Sequence, residues 1–357
     1  VCLVFILVSL VEARVKLTYS EFIDGEDLKT ASETDFTCPR GCMIYSGTEN
    51  PNLVIINKAT QQEITTLNYL AFYNNEKDKS YLYGMTLMSA TYTLKNKAGL
   101  SGATFGLYVV ANDAPNYGQT LRIADAFYSS TFNTTNGVMT IMTRGTGIRM
   151  VTLNSEKEMT PRIFATGYDA ITNADQCQPL YTANSLSHAQ QSQIDIIGPI
   201  ATIRFDGLPG STTATVKVGG DIMTDAPEMR NSLTISSPGY NGCKTGNNPV
   251  LYQYNMNKLD RRFVSDLEQR VNIHVAAKTW LPVDSDTLTI IGLQDQPLKL
   301  MGEVPYNHDF PVSKVDVRLT WQRLNYNSNF AIQMDATKSA VASSLLIALS
   351  FSLFFAL

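Results

Sequence analysis

The chain is poor in charge, poor in histidine and without any sustained helical period. Only 17% of its 357 residues are charged, and the formal net charge is −4. No basic patch or block of like charge occurs, which argues against nucleic acid as a partner. The only histidines are His188, His274 and His308. A catalytic nucleophile needs a base held beside it, yet no Gly-x-Ser-x-Gly elbow, phosphate loop, HExxH or EF-hand pattern occurs. Cysteine is scarce too, at five residues, and no second ligand pair is spaced to complete a metal site with Cys38 and Cys42. The chain is therefore expected to bind rather than catalyse, and to hold no resident cofactor.

What remains is β-strand signal. Val271, Ile273 and Val275 alternate with polar or small residues, and a turn-rich break with Pro282, Asp284 and Ser285 leads into Thr287–Ile290. Residues 106–123 repeat the arrangement, with two apolar runs around a Pro/Asn/Gly break. Leu121 to Ile148 and Leu288 to Val315 are both 27 residues. The preserved spacing suggests a duplicated β domain with Leu121 and Leu288 in equivalent core positions; one large undivided β fold is the alternative. Further apolar runs punctuated by turns fill residues 52–170. The segment Leu259–Val271 is the one place where a helix competes with a strand.

Both ends carry long apolar runs. Residues 1–13 end on Val11 and Ala13, which suit a signal-peptide cleavage site; a buried strand is the alternative. The uncharged run 340–357 reads as a GPI-attachment signal, because no basic flank follows it; a minimal membrane span is the alternative. The polar stretch 326–339 would then be the spacer, with lipid attached at Asn327 or Ser328 and a second choice at Asp335–Thr337. Such a chain travels the secretory pathway to the extracellular face of the plasma membrane. There a small disulfide loop between Cys38 and Cys42 is favoured, leaving Cys177 and Cys243 as a second pair; four cysteines allow three pairings. Asn133-Thr134-Thr135 is the only glycosylation sequon in the chain and precedes the Asn136-Gly137 turn signal. Residues 172–195, rich in Asn, Gln, Ser and Ala, are the expected linker between domains at 14–171 and 196–325.

Ser237-Pro238-Gly239-Tyr240, then Cys243, then Asp286-Thr287-Leu288-Thr289-Ile290 resemble a CUB domain. In the first half, residues 148–170 resemble the closing strands of that family through Phe164-Ala165-Thr166-Gly167-Tyr168. With the two apolar ends, the whole looks like the nematode CUB-like secreted and membrane-linked proteins. The family's four-cysteine set is incomplete here, and the first copy has Gln119 in place of Asp286. The resemblance implies an all-β chain of two jelly-roll-like antiparallel sandwiches with little helix. It also implies recognition of an extracellular protein or glycan at the cell surface, within a response to pathogens. Asp284 and Asp286 would be the acidic positions of a Ca²⁺ site if one exists; a solvated acidic turn is the alternative. The rival function is a secreted lectin-like carbohydrate binder or a hydrolase.

Overall fold

A computed structural model describes residues 20–28, 31–71, 82, 84–99, 105–113, 121–125, 130–133, 138–142, 148–155, 160–165, 179–182, 192–198, 200–206, 213–219, 231–237, 240, 258–281, 286–322 and 328–338. Most of these residues are β-strand, as expected, joined by turns. Helical structure among them is limited to a 3-10 turn at Gly25–Leu28 and a helical turn at 67–71. The latter starts where the Thr66 hydroxyl accepts the Tyr69 amide at 3.0 Å, a side-chain cap on an otherwise unsatisfied donor.

Eight strands make the first sandwich. One sheet runs in the order β1 (Ser20–Asp24), β8 (Gly106–Ala111), β3 (Cys42–Tyr45), β6 (Met85–Leu87). The other runs β2 (Glu33–Cys38), β7 (Ala90–Asn96), β4 (Leu53–Asn57), β5 (Glu63–Thr66). Alternate residues point inward: Ile23, Ile44, Ile55, Leu94 and Leu107 share one core. The intervening Phe22, Tyr45, Tyr108 and Val110 face the other way, against Met142 and Ile200 of the following strands. Gly106 lies at this junction, where a Cβ would meet Phe22 Cζ at 2.9 Å.

The chain passes from one layer to the other through Cys38-Pro39-Arg40-Gly41-Cys42. Cys38 and Cys42 are joined by a disulfide, as expected. Gly41 adopts φ +81°, and a Cβ there would meet Asn112 Nδ2 at 2.7 Å and the Leu87 carbonyl oxygen at 2.9 Å. Only glycine fits such a corner without displacement.

The rest of the chain shares one long sheet. Its order is β10 (Ser130–Asn133), β17 (Thr213–Gly219), β12 (Ile148–Ser155), β15 (Ser192–Ile196), β18 (Ser232–Ser236), β23 (Asn329–Lys338), β19 (Lys258–Leu281), β22 (Gly302–Gln322), β20 (Thr287–Ile291), β21 (Leu298–Leu300). A five-stranded sheet contains β14 (Tyr181–Thr182), β13 (Thr160–Phe164), β16 (Ile200–Asp206), β11 (Val138–Met142) and β9 (Leu121–Asp125). Pairings in these two sheets are antiparallel except β9 with β11 and β15 with β18.

The middle of the long sheet is a common wall between two cores. Ile194 and Ile196 of β15 face a core with Ile141, Ile163 and Ile203 of the five-stranded sheet. Leu233 and Ile235 of β18 face the opposite core with Ile273, Val317 and Trp321. Both strands are consequently buried at every position. Beyond the wall, the hairpin of β19 and β22 changes register between Val264 and Val271. β23 pairs with residues 271–280 of β19, whereas β20 pairs with residues 318–322 of β22. Trp321 and Phe330, one from each part, meet with ring centroids 5.6 Å apart. The sheet thus folds over itself and encloses the second core.

Of the helix and strand that compete over Leu259–Val271, the strand forms, because its alternate residues Leu259, Phe263 and Val271 enter a core. The arrangement differs from the sequence reading at three points. The stretch 172–195 includes most of β15, a central strand of the wall. The stretch 326–339 includes β23, hydrogen-bonded on both sides between β18 and β19. The two Thr-Leu-x-Ile segments are not equivalent: Leu121 pairs in parallel with Val138 on β9, an outer strand, whereas Leu288 pairs antiparallel with Leu300 and Trp321. The matched 27-residue intervals therefore join different elements.

Candidate functional site, a polar row across the wall

Ser192, Ser232, Asp335, His274 and Asp309 are successive partners across β15, β18, β23, β19 and β22. Cross-strand partners share a face, so the five form one row. Its inner end is covered: Ser192 and Ser232 are buried, and Tyr181 from β14 hydrogen-bonds Ser192 between their hydroxyl oxygens at 2.8 Å. Burial pushes the Tyr181 phenol well above its ordinary range. Its outer end reaches solvent, with side-chain exposure of 39% at His274 and 60% at Asp309.

Hydrogen bonds lock the row. The Ser232 hydroxyl donates to Asp335 Oδ1. Gln333, two residues earlier on β23, donates from Nε2 to Asp335 Oδ2 at 2.8 Å. His274 Nδ1 lies 2.9 Å from Asp309 Oδ1. Further along the same face of β19 stands Lys278, whose ammonium desolvation holds below its ordinary pKa. In such a row a buried hydroxyl positions a carboxylate, and the imidazole is held by its Nδ1 at the solvent-reaching end. Because Ser232 is directed at a carboxylate rather than at the imidazole, the row lacks the hydroxyl-to-base geometry of an activated nucleophile.

A second polar cluster lies on the opposite face of the wall. Arg149 and Asp195 are directly paired on β12 and β15. The guanidinium donates from Nε to Oδ1 and from Nη2 to Oδ2, both at 2.7 Å. Arg261 approaches from β19, with Nε 3.7 Å from Asp195 Oδ2. The Gln193 side-chain amide lies against this pair; assigned with its oxygen toward Arg149, it accepts from Nε at 3.2 Å. Two cations and one fully buried anion thus tie β12, β15 and β19 together, a structural role that a buried charge needs partners to fill.

The residues singled out in the sequence fall in several places. Asp286 is fully buried and accepts a hydrogen bond from the Ser328 hydroxyl, also fully buried. It joins the start of β20 to the start of β23, so it is not a solvated turn. No group of three or more metal-ligating side chains occurs among the described residues. Ser328 is fully buried just before β23, and the second choice Asp335–Thr337 lies within β23. Asn133 ends β10, an outer strand of the long sheet, opposite Thr213. Asp284, Asn327, Cys177, Cys243 and residues 1–13 and 340–357 lie outside the described residues. Ser237 clamps the start of β23: its amide donates to the Phe330 carbonyl at 2.9 Å, and its hydroxyl accepts the Phe330 amide at 2.8 Å. Tyr240 packs on the core beside β15, and burial pushes its phenol up to about 12.

The outer row residues carried no motif. His274 was legible only as a residue of an alternating strand. Asp309 and Asp335 join it through register, which depends on pairing over 35 and 61 residues of chain.

No protein-family model and no curated protein sequence matches the chain. Among solved structures, the CUB1-EGF-CUB2 domains of rat MASP-1 overlay with a TM-score of 0.22 and 8% identity, covering 60% of this chain and all of that one. An archaeal virus protein described by its triple jelly roll fold and turret assembly gives a TM-score of 0.14 and 7% identity, over 89% of this chain and 81% of that one. Overlaps this small leave the reading to the strands and cores themselves.

Proposed function

We propose that the chain is an extracellular recognition protein that presents the outer half of the polar row to a ligand and does so without catalysis. The observation that carries this is the union of a solvent-facing His274–Asp309 pair with a locked, buried inner end. A surface organised from beneath loses little entropy when it binds. The Cys38–Cys42 disulfide supports an oxidising compartment. The apolar run 340–357 supports a GPI anchor. A part in pathogen response rests on the nematode CUB-like resemblance.

Two measurements test this. Phosphatidylinositol-specific phospholipase C should release the full chain from intact cells. The released protein should bind at least one member of a panel of immobilised extracellular proteins and glycans, and His274→Ala should abolish that binding while leaving thermal unfolding within a few degrees. A panel response indifferent to His274→Ala removes the recognition reading.

A further inference from the structure

We infer that a second copy of this chain pairs with the free edge of β22 at Asn307–Asp309, continuing the long sheet across a two-fold axis at His308. This goes beyond the recognition reading and does not depend on its ligand. β22 pairs with β19 along one side over residues 302–312. β20 covers its other side only at residues 318–322, and among the described residues no strand pairs with that side at 302–312. The bare side meets solvent: Pro305, Asn307, His308, Asp309 and Pro311 are all exposed. In an antiparallel ladder, successive residues turn their N–H and C=O alternately to one neighbour and to the other. Pro305 and Pro311, with no N–H to give, stand opposite Lys278 and Asn272, where the backbone points away from β19. Asn307 and Asp309 share that parity, so their N–H and C=O groups face the open side.

The segment itself points to its occupant. Pro305-Tyr306-Asn307-His308-Asp309-Phe310-Pro311 reads nearly alike in both directions, with proline, aromatic ring and short polar side chain mirrored about His308. A two-fold axis lays such a segment onto its own copy. With His308 opposite its copy, Asn307 of each chain exchanges both backbone hydrogen bonds with Asp309 of the other, four bonds in all. Residues directly opposite share a face, so each Asn307 amide meets an Asp309 carboxylate. Asp309 holds His274 through Oδ1, and its Oδ2 takes the amide. A register centred on Asp309 would instead set two carboxylates opposite each other, which destabilises a pair of strands. The prolines end the match on both sides, so the edge admits one short segment and no long strand. The His308 ring at the centre is already oriented, edge-on to Phe310 with centroids 4.8 Å apart and to Tyr306 at 6.3 Å. Pairing joins β23, β19 and β22 of both copies in one sheet.

The purified full chain, followed by sedimentation velocity at rising concentration, should pass from monomer to dimer. A contact this short belongs with the weak interfaces of less than about 1,200 Å², so the dimer fills toward the upper end of the range. Asn307→Pro removes two of the four bonds and should weaken dimerisation about tenfold or more. It spares the pairing with β19, since proline already stands at the same parity in Pro305 and Pro311, and an unchanged melting temperature verifies this. Pro305→Thr with Pro311→Thr restores outward N–H groups and should tighten the dimer. His308→Cys should form an interchain disulfide on mild oxidation, because residues opposite each other in a non-hydrogen-bonded pair have Cα atoms about 4.5 Å apart, within a disulfide's reach. Asn307→Cys, offset from its own copy along the strand, should not. A parent that stays monomeric up to its solubility limit, dimerisation indifferent to Asn307→Pro, or equal cross-linking at the two positions overturns the inference. A failed ligand panel moves none of these readouts, so the recognition reading and this one fall separately.

Discussion

The first sandwich and the wall place their charges by different rules. In the first sandwich the ion pairs stay outside: Lys58 reaches Asp35, and Lys97 reaches Glu63 at 2.5 Å, all with side chains near half exposed. In the wall the charges are inside, with Asp195 fully buried and Arg149 and Arg261 nearly so. The cause is geometry. A strand with one wet face can send every second residue to solvent, whereas β15 and β18 have no wet face. Polar residues there must find partners or go without, as the hydroxyls of Thr234 and Ser236 do among the described residues. A shared wall therefore fuses two cores into one cooperative unit and makes its few polar groups decisive.

The sharpest way to break this contrast is to remove β23. A chain ended at Ser328 loses Phe330, Ile332, Met334 and Ala336 from the second core. Each large buried side chain contributes about 1.5–3 kcal/mol, against a total stability of about 5–15 kcal/mol for a domain. Such a chain should be retained in cells and lose the cooperative thermal transition of its second half, followed by circular dichroism. One ended after Lys338 should melt like the parent. Equal melting of the two shortened chains would contradict the placement of β23.

A smaller blow separates buried from exposed charge. Asp195→Ala leaves two arginines uncompensated in the interior and should cost about 3–5 kcal/mol. Asp35→Ala removes an exposed partner of Lys58 and should cost about 0–1 kcal/mol from the ion pair, with about 1 kcal/mol more for its hydrogen bond from Thr93. Urea unfolding of both variants measures the difference; equal losses would mean the wall is wetter than its burial implies.

Strand content was legible because β-branched alternation and turn residues are local signals. The Cys38–Cys42 loop was legible because its closure is local as well. What escaped was long-range. Residues 329–338 read as a polar spacer because Gln333, Asp335 and Thr337 interrupt it; only pairing with β18 and β19 shows that Phe330, Ile332 and Met334 face a core. β15, Ser-Gln-Ile-Asp-Ile, hid in an Asn/Gln/Ser-rich stretch, although a carboxylate between two isoleucines hinted at an interior cation. The equal intervals from Leu121 and Leu288 misled because spacing along the chain says nothing of which sheet a strand enters. The site was half legible: His274 could be placed on a strand, but its carboxylate neighbours depend on register between distant segments.

The least effect, and the finest contrast, comes from two tyrosines. Tyr181 sits under the wall, and Tyr92 in the first sandwich hydrogen-bonds the Met88 carbonyl at 3.0 Å. Burial raises both phenols above their ordinary pKa of 10, Tyr181 much the further. Below pH 10 each is neutral whether folded or unfolded, so its contribution to stability is constant. Above pH 10 the unfolded chain gives up the proton while the folded chain holds it, and stability falls as pH rises toward the folded value. Tyr181→Phe should cost about 0.5–1.5 kcal/mol at pH 7 for the bond to Ser192 and then flatten the alkaline fall between pH 10 and 12. Tyr92→Phe should flatten it less, since its folded pKa is nearer the unfolded one. Urea midpoints for parent and both variants at pH 7, 10, 11 and 12 give the slopes. A steeper flattening from Tyr92→Phe would place the drier environment in the first sandwich and reverse the comparison.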